Sequence, residues 1–202
     1  MNPLFEPIID EILADGYGMM DNFLAPDEVT VLAERLHDRR AMGQFRAAGI
    51  GNRNVVVENA IRGDEILWLD KATAIPAELT FLQRIHEFVD YVNQTCYLGL
   101  REYEFHYAVY PTGTFYKRHL DQFRSDSRRK LSVICYLNTN WRETDGGQLA
   151  LYLPDPDKTG EQQIAIAPLG GRLVCFESAR LEHEVLPATR ERLSVTGWLK
   201  TA

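Results

Sequence analysis

From Tyr103 to Lys200 apolar and polar residues alternate in short runs, and this period of two most constrains what the chain can fold into. Alternation places successive side chains on opposite faces of an extended segment, so each run forms a strand with one buried face. The runs are Tyr103–Tyr110, Phe115–Leu120, Lys130–Asn138, Gln148–Leu153, Gln162–Ala165, Gly171–Phe176, His183–Leu186 and Arg192–Lys200. Turn residues separate them: Pro111-Thr112-Gly113, Asp145-Gly146-Gly147, Pro154-Asp155-Pro156 and Gly170-Gly171. Many short strands punctuated in this way predict a jelly-roll, or double-stranded β-helix.

The first half reads as helical. Phe5–Ala14 has a short helical pattern ended by Gly16, and Tyr17–Asp21 reads as a brief strand. Pro26-Asp27-Glu28 opens a helix, with proline and acids where a helix start favours them. Val29, Leu32, Ala33 and Leu36 give it one apolar stripe, and Gly43 ends it. Phe45–Asn59 shows no clear period. Glu78–Tyr97 is an amphipathic helix with Leu82, Ile85, Val89 and Val92 on one face, Pro76 before it and Gly99 after it. The expectation is an α+β fold, mainly β, in which N-terminal helices back a jelly-roll core. It is a single domain over 1–202, with helical support over about 1–100 and the β-helix core over about 101–200.

On that scaffold the polar residues become informative. His119-Leu120-Asp121 places an imidazole and a carboxylate on one face of an extended segment, and His183 begins a later strand. Two imidazoles and a carboxylate form the ligand set of the non-heme Fe(II) facial triad, which also takes other first-row divalent metals. The HxD triplet alone is a weak motif. Its combination with the later histidine and with Arg192 on the final strand makes the metal reading. His37, His86 and His106 receive structural readings.

Arg192, Ser194, Thr196 and Trp198 alternate with Leu193, Val195, Gly197 and Leu199, so the last strand has one polar and one apolar face. An arginine on an inward face requires a carboxylate partner. 2-Oxoglutarate carries one at the end away from a chelated metal. Tyr136 shares a face with Ser132 and Ile134 and could donate to the same carboxylate, and Tyr110 could hydrogen-bond near the metal-bound end.

Composition removes several alternatives. A formal net charge of −7 and a pI of about 5.3 lack the electrostatic footprint of a nucleic-acid binder. The three cysteines, Cys96, Cys135 and Cys175, are scattered and contain no CxxC, which fits buried thiols in a reducing compartment. Met1–Glu6 has no basic region followed by an apolar stretch, and no apolar run is long enough to span a bilayer. The expectation is a cytoplasmic protein with no membrane and no nucleic-acid partner.

Several stretches carry a resemblance. They are Tyr110-Pro111, Tyr116-x-Arg118-His119-x-Asp121, Tyr136-Leu137-Asn138-(x)2-Trp141 and Gly146-Gly147-x-Leu149. His183-Glu184-Val185-x-Pro187-(x)4-Arg192-(x)3-Thr196-x-Trp198 joins them. In the first half, Asp21-x-Phe23-Leu24 and Ile61-Arg62-Gly63-Asp64-x-Ile66-x-Trp68 belong to the same pattern. From about Gly16 to Lys200 the chain resembles the hypoxia-inducible-factor prolyl hydroxylases and their compact bacterial relatives.

The resemblance implies a 2-oxoglutarate-dependent dioxygenase of the prolyl 4-hydroxylase type. It implies Fe(II) on His119, Asp121 and His183, 2-oxoglutarate and dioxygen as co-substrates, and ascorbate as an accessory reductant. It pairs Arg192 with the far carboxylate of 2-oxoglutarate, assisted by Tyr136, with Tyr110 beside the metal-bound end and Thr196 and Trp198 lining the pocket. Arg129, Arg62 and Asp64 match positions near a substrate groove. The expected partner is a protein client bearing a target proline, with a translation-associated client as the bacterial class to test and oxygen sensing as a role.

Two departures touch the substrate rather than the chemistry. The loop after Tyr110 is shorter than in the animal enzymes, and Phe45–Asn59, where that family carries a substrate-covering loop, has its own sequence. The basic run Arg124-(x)3-Arg128-Arg129-Lys130 could meet acidic residues of a client. Three rival readings stay open: hydroxylation of a free amino acid or other small metabolite, nucleic-acid demethylation, and a non-catalytic binding or sensing module.

Overall fold

The computed structural model describes residues 3–49, 57–58, 60–122, 126–154 and 160–202. Three helices are α1 (Glu6–Asp15), α2 (Pro26–Ala41) and α3 (Pro76–Cys96). The strands of the first half are β1 (Tyr17–Met20), β2 (Arg46–Ala47) and β3 (Glu65–Trp68). Those of the second half are β4 (Glu102–Tyr110), β5 (Tyr116–His119), β6 (Arg129–Tyr136), β7 (Leu149–Pro154), β8 (Glu161–Ile166), β9 (Leu173–Glu177), β10 (Glu182–Val185) and β11 (Arg192–Lys200).

Both long helices begin in the same way. Proline occupies the first helical position, and a glutamate two residues on accepts the backbone N–H that precedes the helix: Ala25 N to Glu28 at 2.8 Å and Ile75 N to Glu78 at 2.7 Å. Each arrangement satisfies a donor the helix start leaves open. Glu28 also accepts two hydrogen bonds from Arg84, at 2.8 and 2.7 Å, which joins α2 to α3.

The strands form two antiparallel sheets, a major one in the order β1-β9-β6-β11-β4-β3-β2 and a minor one in the order β5-β10-β7-β8. Period two sorts the major sheet's residues into two cores. Phe105, Tyr107 and Val109 of β4 and Val195 and Leu199 of β11 pack outward against Leu36 of α2 and Phe81, Ile85 and Phe88 of α3. Ala108, Tyr110, Ile134 and Tyr136 face the other way, into a core shared with Leu149, Leu151 and Val185 of the minor sheet. Burying one such large apolar side chain contributes roughly 1.5–3 kcal/mol, so a one-residue slip of β4 would exchange both cores and is strongly disfavoured.

All eight second-half strands and the jelly-roll architecture are as expected, with ends shifted by one or two residues. In the first half the helices and the brief strand β1 are as expected, whereas β2 and β3 were not, and all three strands join the major sheet. β3 spans four residues, each half-buried, which is too short for alternation to announce it. The expected covering loop lies partly outside the described residues. Its described part contains β2, paired with β3 at Arg46–Ile66 and Ala47–Glu65.

Candidate metal and 2-oxoglutarate site

β5 and β10 pair with His119 directly opposite His183. Their imidazole centroids lie 4.2 Å apart. Asp121, just past the end of β5, spans the two rings: Oδ1 is 3.6 Å from His119 Nε2, and Oδ2 is 3.6 Å from His183 Nε2. One donor atom from each of the three residues lies within 4.8 Å of the others.

Each imidazole is oriented by its second nitrogen. His119 Nδ1 is 2.7 Å from the Lys117 carbonyl, and His183 Nδ1 is 3.3 Å from that of Leu181. A carbonyl only accepts, so Nδ1 carries the proton and the Nε2 lone pair is left for a cation. Asp121 Oδ2 accepts from Ser132 Oγ at 2.7 Å, and Ser132 meets Ser178 at 2.8 Å. Burial would raise the Asp121 pKa, but His183, His119 and the Ser132 hydroxyl outweigh it and hold the carboxyl well below its usual range. Burial pushes the His183 imidazole down to about 4, with Asp121 opposing. A carboxylate beside two imidazoles that keep their Nε2 atoms free for a cation suits a divalent metal such as Fe(II).

Arg192 is the second centre. It is 1% exposed, its Nε donates to the Gly147 carbonyl at 2.9 Å, and its Nη2 has no partner. Among the described residues it pairs with no carboxylate. Gly147 adopts φ +68°, and a Cβ there would meet the Arg192 side chain at 3.3 Å, so glycine suits both the turn and the approach. The Tyr136 hydroxyl is buried without a hydrogen-bond partner, and the Arg192 guanidinium carbon lies 4.9 Å from its ring. Burial raises the Tyr136 pKa, partly opposed by Arg192, so the phenol keeps its proton. A buried guanidinium with a free Nη2, beside a phenol without a hydrogen-bond partner among the described residues, calls for an anionic ligand, and the far carboxylate of 2-oxoglutarate fits that requirement.

A cavity of about 660 Å³ joins the two centres. His119, Asp121, His183, Arg192, Tyr110, Thr196, Trp198, Arg129, Arg62 and Asp64 all line it. Tyr136 stands behind the wall at Arg192. Tyr110 is buried, which raises its pKa and keeps it a hydrogen-bond donor. Thr196 Oγ1 meets Ser194 Oγ at 3.0 Å.

The charged residues expected at a substrate groove are paired within the chain. Arg62 meets Asp64 at 2.8 and 2.6 Å. Arg129 stacks on Trp198 with its guanidinium carbon 3.5 Å from the ring centroid, and meets Glu104 at 3.1 Å. Arg128 meets Asp126 at 2.8 Å, so Arg128 and Arg129 of the basic run are each met by an acid; Arg124 lies outside the described residues.

The sequence reading missed two contributors. His106, given a structural role, lines the cavity between Trp68 and Trp198, 4.9 and 5.5 Å away, with its Nδ1 unpaired. It lies at even spacing from Tyr110, so alternation along β4 placed it on the inner face. Ser132, which steadies Asp121, was visible in the same way from Tyr136. His37 and His86 are exposed on helices, as their structural reading expects.

The 2OG-Fe(II) oxygenase superfamily profile matches residues 105–200. A hypoxia-inducible factor prolyl hydroxylase of Caenorhabditis elegans is 31% identical over 96% of this chain, which spans 28% of that protein's length. The crystal structure of a Pseudomonas putida prolyl-4-hydroxylase is 38% identical with a TM-score of 0.86, covering 96% of this chain and 97% of that one. A Trichoplax adhaerens prolyl hydroxylase, solved with a hypoxia-inducible factor oxygen degradation domain peptide, is 31% identical with a TM-score of 0.84, covering 98% and 89%. The chain belongs to the 2OG-Fe(II) oxygenase superfamily and is homologous to prolyl hydroxylases within it.

Proposed function

We propose that the chain hydroxylates a prolyl residue of a protein client, with Fe(II) held by His119, Asp121 and His183 and 2-oxoglutarate anchored by Arg192. The observation that carries this reading is that one cavity contains both the His–Asp–His cluster and a buried guanidinium with an unpaired Nη2. The two centres meet the major sheet's inner face at different levels. Ser132, which holds Asp121, is opposite Trp198 in register, whereas Tyr136, beside Arg192, is opposite Ser194.

Fe(II) and 2-oxoglutarate together supply oxidative power, since reduction of dioxygen is coupled to decarboxylation of 2-oxoglutarate to succinate and insertion of one oxygen atom into a C–H bond. The side chains provide binding and shielding. His119 and His183 present Nε2 lone pairs, and Asp121 presents a charge. Arg192 and Tyr136 donate to the far carboxylate, and Tyr110 donates nearer the metal. Trp198, Ile134 and Val185 exclude water from the reacting centre.

A polypeptide client is supported by the names of the relatives and by the peptide bound to the Trichoplax protein. Arg62, Asp64 and Arg129 line the same cavity as the His–Asp–His cluster. Among the described residues no helix is long and apolar enough to cross a membrane.

The test is proteomics on cell extract treated with the protein, Fe(II), 2-oxoglutarate, ascorbate and heavy-oxygen gas. A single protein gaining labelled hydroxyproline is the expected result, with translation-associated proteins inspected first. Turnover that tracks dioxygen concentration would add oxygen sensing. Succinate without any labelled protein would move the substrate to a free amino acid or other metabolite. No succinate from an iron-loaded sample would overturn the enzyme reading.

A further inference from the structure

We propose that Tyr116, backed by Arg62, is a positioning residue for the metal centre: its ring fixes the imidazole of His119 and links the segment before β3 to the metal. The inference rests on the ligand assignment proposed above.

The two histidines are held differently. His183 lies on β10 between β5 and β7, its side chain is 5% exposed, and Phe176 packs edge-on against it at 4.6 Å. Packing on all sides fixes that ring. His119 is the last residue of β5, the outer strand of the minor sheet, and its side chain is 17% exposed. Its hydrogen bond to the Lys117 carbonyl aligns the ring within its own plane but leaves the tilt of that plane undetermined.

Tyr116 supplies the missing constraint. Its ring stacks on the His119 imidazole with centroids 3.6 Å apart and planes 16° from parallel. With one face so occupied, the other receives Arg62, whose guanidinium carbon lies 4.2 Å from the ring centroid. The guanidinium is itself clamped, by Asp64 at 2.8 and 2.6 Å and by the Gly49 carbonyl at 3.2 Å. A rigid cation over an aromatic face holds that ring in place, so the column from Arg62 through Tyr116 to His119 behaves as one unit.

The backbone reinforces it. Arg62 bridges to Tyr116, Gly63 N donates to Phe115 O at 3.0 Å, and Lys117 N donates to Ile61 O at 2.9 Å. Residues 61–63 thus stand in for the strand that β5 lacks on its outer side. The approach is close enough that a Cβ on Gly63 would lie 2.8 Å from Thr114 Cβ, which only glycine avoids. Arg62 therefore acts on the metal ligand rather than only on substrate, and the Gly49 carbonyl ties the loop after β2 to the same guanidinium.

Titration of the metal-free protein with Co(II), followed by its visible absorption, tests this. Tyr116→Phe keeps the stack and is expected to match the wild-type affinity and spectrum. Tyr116→Leu removes it and is expected to weaken binding about 10- to 100-fold, the usual range for losing a group that orients a ligand, with an altered spectrum and an unchanged metal-free melting temperature. Arg62→Lys keeps a charge against Asp64 but removes the flat guanidinium, and it is expected to weaken binding and alter the spectrum too. It decides the matter if Tyr116→Leu does not fold. Wild-type Co(II) affinity and spectrum in Tyr116→Leu, or in Arg62→Lys with only a raised substrate KM, would overturn the proposal. His119→Ala separates the two claims, since unchanged Co(II) binding in that variant sinks the ligand assignment itself.

Discussion

Ser132 donates a hydrogen bond to Asp121 Oδ2 at 2.7 Å from a strand that carries none of the three clustered groups. The carboxylate is thereby oriented from the major sheet while both imidazoles project from the minor one. Ser132→Ala is expected to lower metal affinity about 10-fold or more while costing only about 1 kcal/mol of stability. Metal titration beside urea unfolding measures both, and equal metal affinity in the variant would remove Ser132 from the site.

Among the described residues Arg192 is a buried charge with no carboxylate partner, so the fold carries a desolvated cation for the sake of a ligand. Arg192→Met is expected to be no less stable than the wild type in the absence of 2-oxoglutarate. In the wild type, 2-oxoglutarate at about 100 times its Kd should add about 2.7 kcal/mol of stability, and Arg192→Met should lose that gain together with turnover. Calorimetry with and without 2-oxoglutarate is the check, and a variant still stabilised by it would refute the anchor.

Glu78 is 1% exposed and accepts from Tyr107 Oη at 3.0 Å and Ile75 N at 2.7 Å, with Arg35 and Arg39 each 3.8 Å away. Glu78→Ala strands these donors and leaves two arginines without their anion. A loss of about 3–5 kcal/mol is expected, as for breaking a buried charge network from one side. Urea denaturation reports it, and a loss under 1 kcal/mol would mean that water replaces the carboxylate.

Burial pushes His106 down to about 4 in the folded chain. An unfolded histidine titrates near 6.5. Between those values the unfolded state binds the extra proton, so stability present above about pH 6.5 is lost as pH falls towards about 4. The loss from this residue is about 3 kcal/mol. His106→Met has no such group and is expected to lose less stability than the wild type from pH 7 to pH 4.5. Parallel losses in the two proteins would show that His106 is not the source.

The strand from Arg192 to Lys200 was legible from the chain alone, because alternation is a local property and its polar face matched the ligand chemistry. The same holds for His119 and Asp121, which are close in sequence, and for the proline-led start of α2. His183 was assigned through its pattern with Arg192. That it stands opposite His119 follows from the register of β10 on β5, a pairing between distant segments. β3 was illegible because four half-buried residues show no period; alternation put Ser132 and His106 on an inner face, but nothing local distinguishes a strand residue that faces a cavity from one that faces a core. Local periodicity and side-chain chemistry, written in the sequence, determined the strands, the helix starts and the ligand types. Long-range pairing and packing decided which groups meet, which stay unpaired and how the rings are held, since those depend on neighbours far along the chain.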